Sequence, residues 1–399
     1  MELSHAFLPV FLALAPVALG QGQVHVVDAS GGPGSDFAQI GQATAAAANG
    51  DIVLVRAGDH RFRAFPEFDG IRLSGKGLTI VADTGALVRT CELALQRIPA
   101  GSFALLQGLE LSIPPIALVE DCAGPVWLSE VSSGVFSISL FADVMRVRDS
   151  AAFVVVRGRL RGDPNLPLFT LTAIRTPLHL FGVDVEGSAG GVAIDLFDAA
   201  LWLFGSSVRG GGGLDGWNAT NGCNGLAGGD GLFLESGSRA RILDSALAGG
   251  AGGDPFTTPC TPGANGRSHV QTSGSQTSFL AGTVRSLTAT SPVRDDENAS
   301  ITLTGKPGDA FALIYSRTPG SGLGASGLDG QILLAAPAKL LSTGTIPTAG
   351  TLTQIFAVPD LPAGVEGRTV FVQAVFRDVD TARLVVSSPG AIVVLDDAF

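Results

Sequence analysis

The sequence predicts an all-β protein in two parts, a parallel β-helix followed by a small antiparallel β-sandwich. Three observations predict this architecture. The 399 residues include 54 Gly and only 15% charged residues, a composition that favours short strands joined by tight turns. A pattern of alternating apolar positions recurs about every 25 residues, as in proteins built from stacked repeats. This repeat disappears near residue 288, where alternating strands of a different style begin.

The chain opens with an apolar segment from Ala6 to Leu19, which is too short to span a bilayer and is followed by small residues near Gly20. This pattern predicts an export signal over residues 1–20, although Glu2 and His5 occupy the stretch where Lys or Arg usually stands. We therefore expect a secreted protein, extracellular or on the cell surface. No later apolar run reaches the length of a membrane span.

A short helix is predicted before the repeat. Ser35 or Asp36 can cap a helix over about residues 37–48, and Asn49-Gly50 provides the stop. A stack of coils exposes unpaired backbone at its ends, so a helix at this position would cover the first coil.

The repeat itself predicts one coil of β-helix per period. A short strand buries alternate residues, a corner turns the chain, a second strand repeats the alternation, and the chain returns one layer up. Like positions then form columns about 4.8 Å apart. A longer last interval predicts a Gly-rich loop extruded over residues 210–231, and a weak ninth coil starts at Phe279. The β-helix is assigned to residues 21–287, with coils starting at Ile52, Leu78, Ala104, Val126, Phe153, Leu178, Leu201 and Ala240.

The stretch VHVVDASGGPGSDFAQIGQATAAAANGDIVLVRAGDH, followed by GLTIVAD, resembles the opening of the pectin-lyase-like right-handed β-helix superfamily. In that family a strand, a Gly-rich turn, a capping helix and the first coil follow in this order. The resemblance covers about residues 24–250 and implies a right-handed coil. It is poor for function, since the same architecture hosts lyases, hydrolases, adhesins and inert surface proteins.

Residues 288–399 predict a separate β-sandwich. Strands such as RTVFVQAVFRD and GAIVVLD alternate with turn signals that include Gly305-Lys306-Pro307-Gly308. This part resembles C-terminal modules common on large secreted bacterial proteins, which usually anchor, space or bind.

The four cysteines show no C-x-x-C spacing, so disulfides are expected rather than a zinc or redox site. Three pairings are open. Pairing of sequence neighbours, Cys91 with Cys122 and Cys223 with Cys260, is preferred.

The charge balance argues against nucleic acid as a partner. The net charge is −11, and the 25 basic residues are scattered among 36 acidic ones instead of being concentrated in one run. Anionic membrane surfaces are disfavoured for the same reason.

One outward column of the predicted coils carries aromatic side chains suited to stacking on sugar rings, namely Trp127, His179 and Trp202. A binding face for polysaccharide or a cell-surface glycan is one interpretation. The alternative is that long loops cover this face and bury it.

A charged cluster follows on the second strand of neighbouring coils. We expect Asp184 beside Arg159, and Glu186 between Arg161 and Arg209. In the polysaccharide lyases that share the resemblance, a basic residue removes the proton beside a uronate while calcium or arginine neutralises the carboxylate. The same charges are equally explained as salt bridges between strands.

The Gly-rich segment offers oxygen donors suited to calcium, among them Asp215 and Asp230, but their spacing matches no defined calcium loop. No cofactor is required by any motif.

The sequence thus favours a secreted or cell-surface β-helix scaffold that is non-catalytic and binds polysaccharide. The alternative is a polysaccharide lyase, or a related carbohydrate-active enzyme, that acts on uronate-containing glycans at the charged cluster.

Overall fold

The structure is a computed structural model that describes residues 22–60, 70–111, 117–133, 144–164, 169–216, 223–257, 260–324 and 327–399. The predicted export signal lies outside the described residues. Within them, no helix is both long enough and apolar enough to cross a membrane.

The described strands between Val24 and Leu280 form three parallel sheets that the chain visits in turn, consistent with a parallel β-helix. We number the strands in chain order and call the sheets the first, second and third. The first sheet contains β1 Val24–Val27, β2 Ile52–Val55, β5 Thr79–Ala82, β8 Ala104–Gln107, β11 Val126–Ser129, β14 Phe153–Val156, β17 Leu178–Phe181, β20 Ala200–Phe204, β23 Arg239–Leu243 and β26 Gln276–Leu280. The second contains β3 Gly58–Asp59, β6 Val88–Thr90, β9 Leu109–Leu111, β12 Ser132–Ser133, β15 Arg159–Arg161, β18 Asp184–Glu186, β21 Ser207–Arg209 and β24 Ala246–Ala248. The third contains β4 Ile71–Ser74, β7 Leu93–Gln96, β10 Ala117–Glu120, β13 Met145–Arg148, β16 Leu171–Ile174, β19 Ile194–Phe197, β22 Leu232–Glu235 and β25 His269–Gln271.

The predicted repeat is confirmed in its register. Val126 pairs with Ala104 and with Phe153, so the coil starts stack directly above one another. Between the first two predicted coils the register differs from the prediction by one residue, because Ile52 pairs with Thr79 and not with Leu78. The inward side chains of all three sheets form one continuous buried core. The predicted pattern contains only two strands in each coil, so it does not account for the third sheet.

The predicted helix is shorter than expected. Helix α1, Ile40–Ala46, contacts β1, β2 and β4 and buries Ile40 and Ala43 in the core of the coils. Its N-cap is Gln39, which makes no side-chain capping bond. Asp36, a predicted cap, instead accepts a hydrogen bond from the backbone N–H of Val26, so it stabilises the chain before the helix.

The C-terminal strands are mostly antiparallel and enclose a second core. A three-stranded sheet contains β27 Ser286–Ala289, β29 Asn298–Thr304 and β35 Thr351–Ala357. A seven-stranded sheet contains β28 Val293–Arg294, β30 Ala310–Ser316, β32 Leu328–Asp329, β34 Lys339–Thr345, β36 Gly367–Arg377, β37 Leu384–Val386 and β38 Gly390–Leu395. Strands β31 Pro319–Leu323 and β33 Ile332–Leu334 pair with each other.

The C-terminal part packs on the outer face of the first sheet. Phe371 of β36 makes edge-to-face contacts with Phe103 and Trp127, with ring centroids 4.9 and 4.8 Å apart. The hydroxyls of Thr79 and Thr369 are hydrogen-bonded at 2.8 Å across the same interface. The two parts therefore share a buried apolar cluster, which includes Val26, Leu54, Leu105, Val154, Phe181, Phe204, Leu333, Leu334, Val385, Val393 and Leu395.

The described residues of the predicted Gly-rich loop, 210–216 and 223–231, are part of an array of hydrogen-bonded chains. Runs at 210–216, 223–231, 248–254 and 260–267 lie side by side, and their backbone N–H donors recur every third residue. Gly210, Gly213 and Gly216 donate to the carbonyls of Ala248, Ala251 and Asp254. A three-residue period without helix or strand pairing is the signature of polyproline II chains. We call this unit the polyglycine block; residues 217–222 of the expected loop lie outside the description.

One of the two preferred cysteine pairs is confirmed. Cys223 and Cys260 form a disulfide with a Cα–Cα distance of 5.5 Å, which joins two runs of the polyglycine block. The second predicted bridge is wrong, because Cys91 and Cys122 are buried and not joined. Cys91 lies at the corner between the second and third sheets, whereas Cys122 lies at the corner between the third and first. The width of the third sheet separates their side chains, beyond the reach of an S–S bond.

Candidate functional site

The charged cluster assembles as the spacing predicted, but its members neutralise one another. Arg159 pairs in register with Asp184, and Arg161 with Glu186, which in turn lies beside Arg209. The Arg159 Nε to Asp184 Oδ2 distance is 3.1 Å, and the Arg161 Nε to Glu186 Oε2 distance is 3.4 Å. These four side chains are between 36% and 51% exposed on the second sheet. Each arginine is engaged by a carboxylate of the neighbouring coil, which is the arrangement of a salt bridge between strands.

The aromatic column also stacks as predicted, but the C-terminal part covers much of it. Trp127 is 1% exposed and His179 is fully buried, whereas Trp202 is half-buried. His179 stacks on Trp202 with ring centroids 4.6 Å apart and planes 10° from parallel. Phe371 lies over Trp127. Of the three proposed stacking residues, only Trp202 retains a surface that a ligand can reach. The C-terminal part of the same chain covers the other two, and not the long loops that were the alternative.

His179 makes this interface sensitive to acid. Neither ring nitrogen has a hydrogen-bond partner among the described residues, and burial away from water lowers the pKa of His179 to about 3. The folded state therefore favours the neutral ring.

We expect the free energy of unfolding to fall as the pH drops from about 6.5, the ordinary histidine pKa, towards 3. The unfolded state takes up the proton first, so the loss from this group is about 3 kcal/mol near pH 4.5. His179→Phe keeps a ring on Trp202 and should remove this part of the loss. Urea unfolding at pH 7.5 and 4.5 measures it; an equal loss in wild type and variant would contradict the assignment.

The residues proposed for calcium serve the polyglycine block. Asp215 accepts a hydrogen bond from the backbone N–H of Asp254 at 2.8 Å. Asp230 accepts one from the backbone N–H of Arg267 at 2.7 Å and forms an ion pair with the same side chain. Across the described ranges, no group of three or more His, Cys, Asp or Glu side chains is placed to hold a metal ion.

A cleft of about 430 Å³ opens beside Trp202, between the first sheet and the C-terminal part. Strands β20 and β23 form one wall, and the segment around Gln331 forms the other. Arg239 and Arg241 line it from alternate positions of β23, so both point to the same face. Its size lies within the usual range for small-molecule sites.

The cleft contains two guanidinium groups that the described residues leave unpaired. Arg239 and Arg241 are exposed, and within the described part of the chain neither forms an ion pair, in contrast to Arg159 and Arg161. Trp202 Nε1 also lacks a hydrogen-bond partner among the described residues, but this atom is buried and does not face the cleft. The exposed part of the Trp202 ring and the two guanidinium groups together suit a ligand that carries both a flat apolar surface and negative charge.

The sequence pattern predicts part of the lining of this cleft. Arg241 continues the outward column of His179 and Trp202, and the register confirms it through the pairing of Trp202 with Arg241. Arg239 and Gln331 were missed, because nothing in the spacing of either part indicates that they meet across the interface.

Comparisons with known proteins give this chain no assignment. No protein-family model matches the sequence, and a search of curated proteins found no similar sequence.

Proposed function

We propose that this chain is a secreted or cell-surface scaffold that binds an acidic saccharide without cleaving it. The observation that supports this proposal is the cleft, where part of the Trp202 ring lies beside Arg239 and Arg241, which form no ion pair with any described residue. A sugar ring can stack on the indole while its carboxylate is held by the guanidinium groups. The protein has a net charge of −11, whereas the charged side chains that line the cleft, Arg239 and Arg241, are both positive.

The architecture proposed with it is a right-handed β-helix of the pectin-lyase-like kind, capped by α1 and followed by a β-sandwich. The supporting features are the burial of Ile40 and Ala43 under the first coil and the core shared by the C-terminal sheets. The Cys223–Cys260 disulfide fits an oxidising, extracellular environment.

Binding of a uronate oligosaccharide, such as oligogalacturonate, tests the proposal. The double variant R239Q/R241Q should weaken binding at least about tenfold, because a charge-assisted contact contributes about 1.5–3 kcal/mol. Raising the salt concentration should weaken the wild type in the same direction. Isothermal titration calorimetry measures both effects.

Two controls make this test specific. A neutral oligosaccharide should bind poorly, and R159Q should bind like the wild type, because Arg159 lies on the second sheet and is already paired. Trp202→Ala removes the ring and should also weaken binding, which tests the contribution of stacking. If R159Q and not R239Q/R241Q abolishes binding, the cleft is not the site, and the lyase alternative at the charged cluster gains support.

A further inference from the structure

The last coil of the helix leaves its interior uncovered. Phe279 of β26 continues an inward column, yet it is 60% exposed. In the preceding coils the same position is at most 2% exposed, at Leu106, Leu128, Val155, Leu180, Leu203 and Ile242. The side chain is exposed because no described coil stacks on it. Leu247 of β24 is likewise only half-buried, whereas Val208 below it is fully buried.

The backbone at this end is also unpaired. Strands β24, β25 and β26 are the terminal strands of the three parallel sheets, and each has only one neighbour. At the opposite end, α1 contacts the first strands of the coils. The described structure thus covers one end of the stack and leaves the other with three strand edges and an exposed phenylalanine.

The charge distribution indicates what can cover this end. Residues 245–253 and 268–284 contain no Asp, Glu, Lys or Arg, although the chain carries 61 such residues in total, 25 basic and 36 acidic. Charged residues and prolines are the usual protection of exposed strand edges, and none is present here. At a surface without charge, two copies of a chain with net charge −11 can approach without local repulsion.

We propose that this end, formed by β24, β25 and β26, docks against the same end of a second copy of the chain. The contact is isologous, with β26 edges pairing and the two Phe279 side chains buried between the stacks. Because α1 occupies the other end, the association closes as a dimer and does not propagate into a filament. This proposal does not depend on the saccharide cleft, which lies on the side of the stack.

The oligomeric state of the full chain in solution tests the proposal. Light scattering coupled to size exclusion should give a dimer at micromolar concentration, and Phe279→Asp should raise its dissociation constant at least tenfold. Phe256→Asp is the matched control, since Phe256 is 62% exposed but lies outside β24, β25 and β26, where its backbone N–H donates to the carbonyl of Cys223. It should leave the dimer intact.

Ser278→Lys provides a second variant that leaves the apolar core untouched, because Ser278 points outward from β26. It should weaken the dimer by placing like charges on the paired edges. A monomeric wild type would overturn the proposal. So would a dimer that survives both Phe279→Asp and Ser278→Lys in folded protein.

Discussion

Gly211→Ala is expected to disrupt the polyglycine block and to cost about 3 kcal/mol or more of stability. A Cβ atom at Gly211 would overlap the backbone carbonyl of Ser188, which cannot move without breaking neighbouring hydrogen bonds. Comparable overlaps exist at Gly229 with Gly191 and at Gly250 with Gly211 itself. The block is close-packed for the reason that collagen requires glycine at its axis.

The adjacent residue supplies the control for this prediction. A Cβ atom at Gly212 would meet nothing closer than the Ala251 carbonyl oxygen, at 3.9 Å, so Gly212→Ala should be close to neutral. Hydrogen exchange measured over residues 210–216 and 248–254, together with urea unfolding, distinguishes the two variants. Equal behaviour of Gly211→Ala and Gly212→Ala would mean that the runs are not packed as described.

Arg285→Met is expected to destabilise the C-terminal part by about 3–5 kcal/mol, since it leaves the fully buried carboxylate of Asp309 without its counter-charge. The Arg285 side chain is 1% exposed and bonds to both Asp309 and Asp378, the latter at 2.8 Å. Lys306 and Thr381 also bond to Asp378, and the ammonium of Lys306 above all holds the pKa of Asp378 well below its usual range. The carboxylate therefore remains charged in the folded protein.

Arg72→Met is the matched control for Arg285→Met. Arg72 also pairs with a carboxylate, that of Glu92 at 2.7 Å, but its side chain is 72% exposed. An exposed pair of this kind contributes less than about 1 kcal/mol. Urea unfolding followed by circular dichroism gives both values. A small loss for Arg285→Met would show that the network is open to water, contrary to the burial described.

The sequence predicts the coils well because their signal is local and periodic. Each strand must bury alternate residues, so the local sequence around Val126, Phe153 and Leu178 is enough to predict the start of a coil at each of them. The separation of Cys91 from Cys122 and the burial of Trp127 were harder to predict. Both depend on which corner or face a residue occupies, and on contacts between segments far apart in sequence, such as Trp127 with Phe371.

The polyglycine block was missed for a different reason. Glycine and asparagine are favoured in turns, so a run such as 210–216 is ordinarily interpreted as a loop. Its order arises only when Gly211 and Gly250 meet neighbouring backbones, a long-range match that no window of sequence contains. The same limitation applies to the cleft, where Arg239 and Gln331 come from different parts of the chain.

The central proposal, binding of an acidic saccharide without cleavage, is tested most directly by one experiment. Wild-type protein is titrated with oligogalacturonate, with and without calcium, while ultraviolet absorbance of unsaturated product is followed in the same samples. We predict saturable binding and no product under either condition. Absence of binding, or product formation that is lost in R159Q, would contradict the proposal.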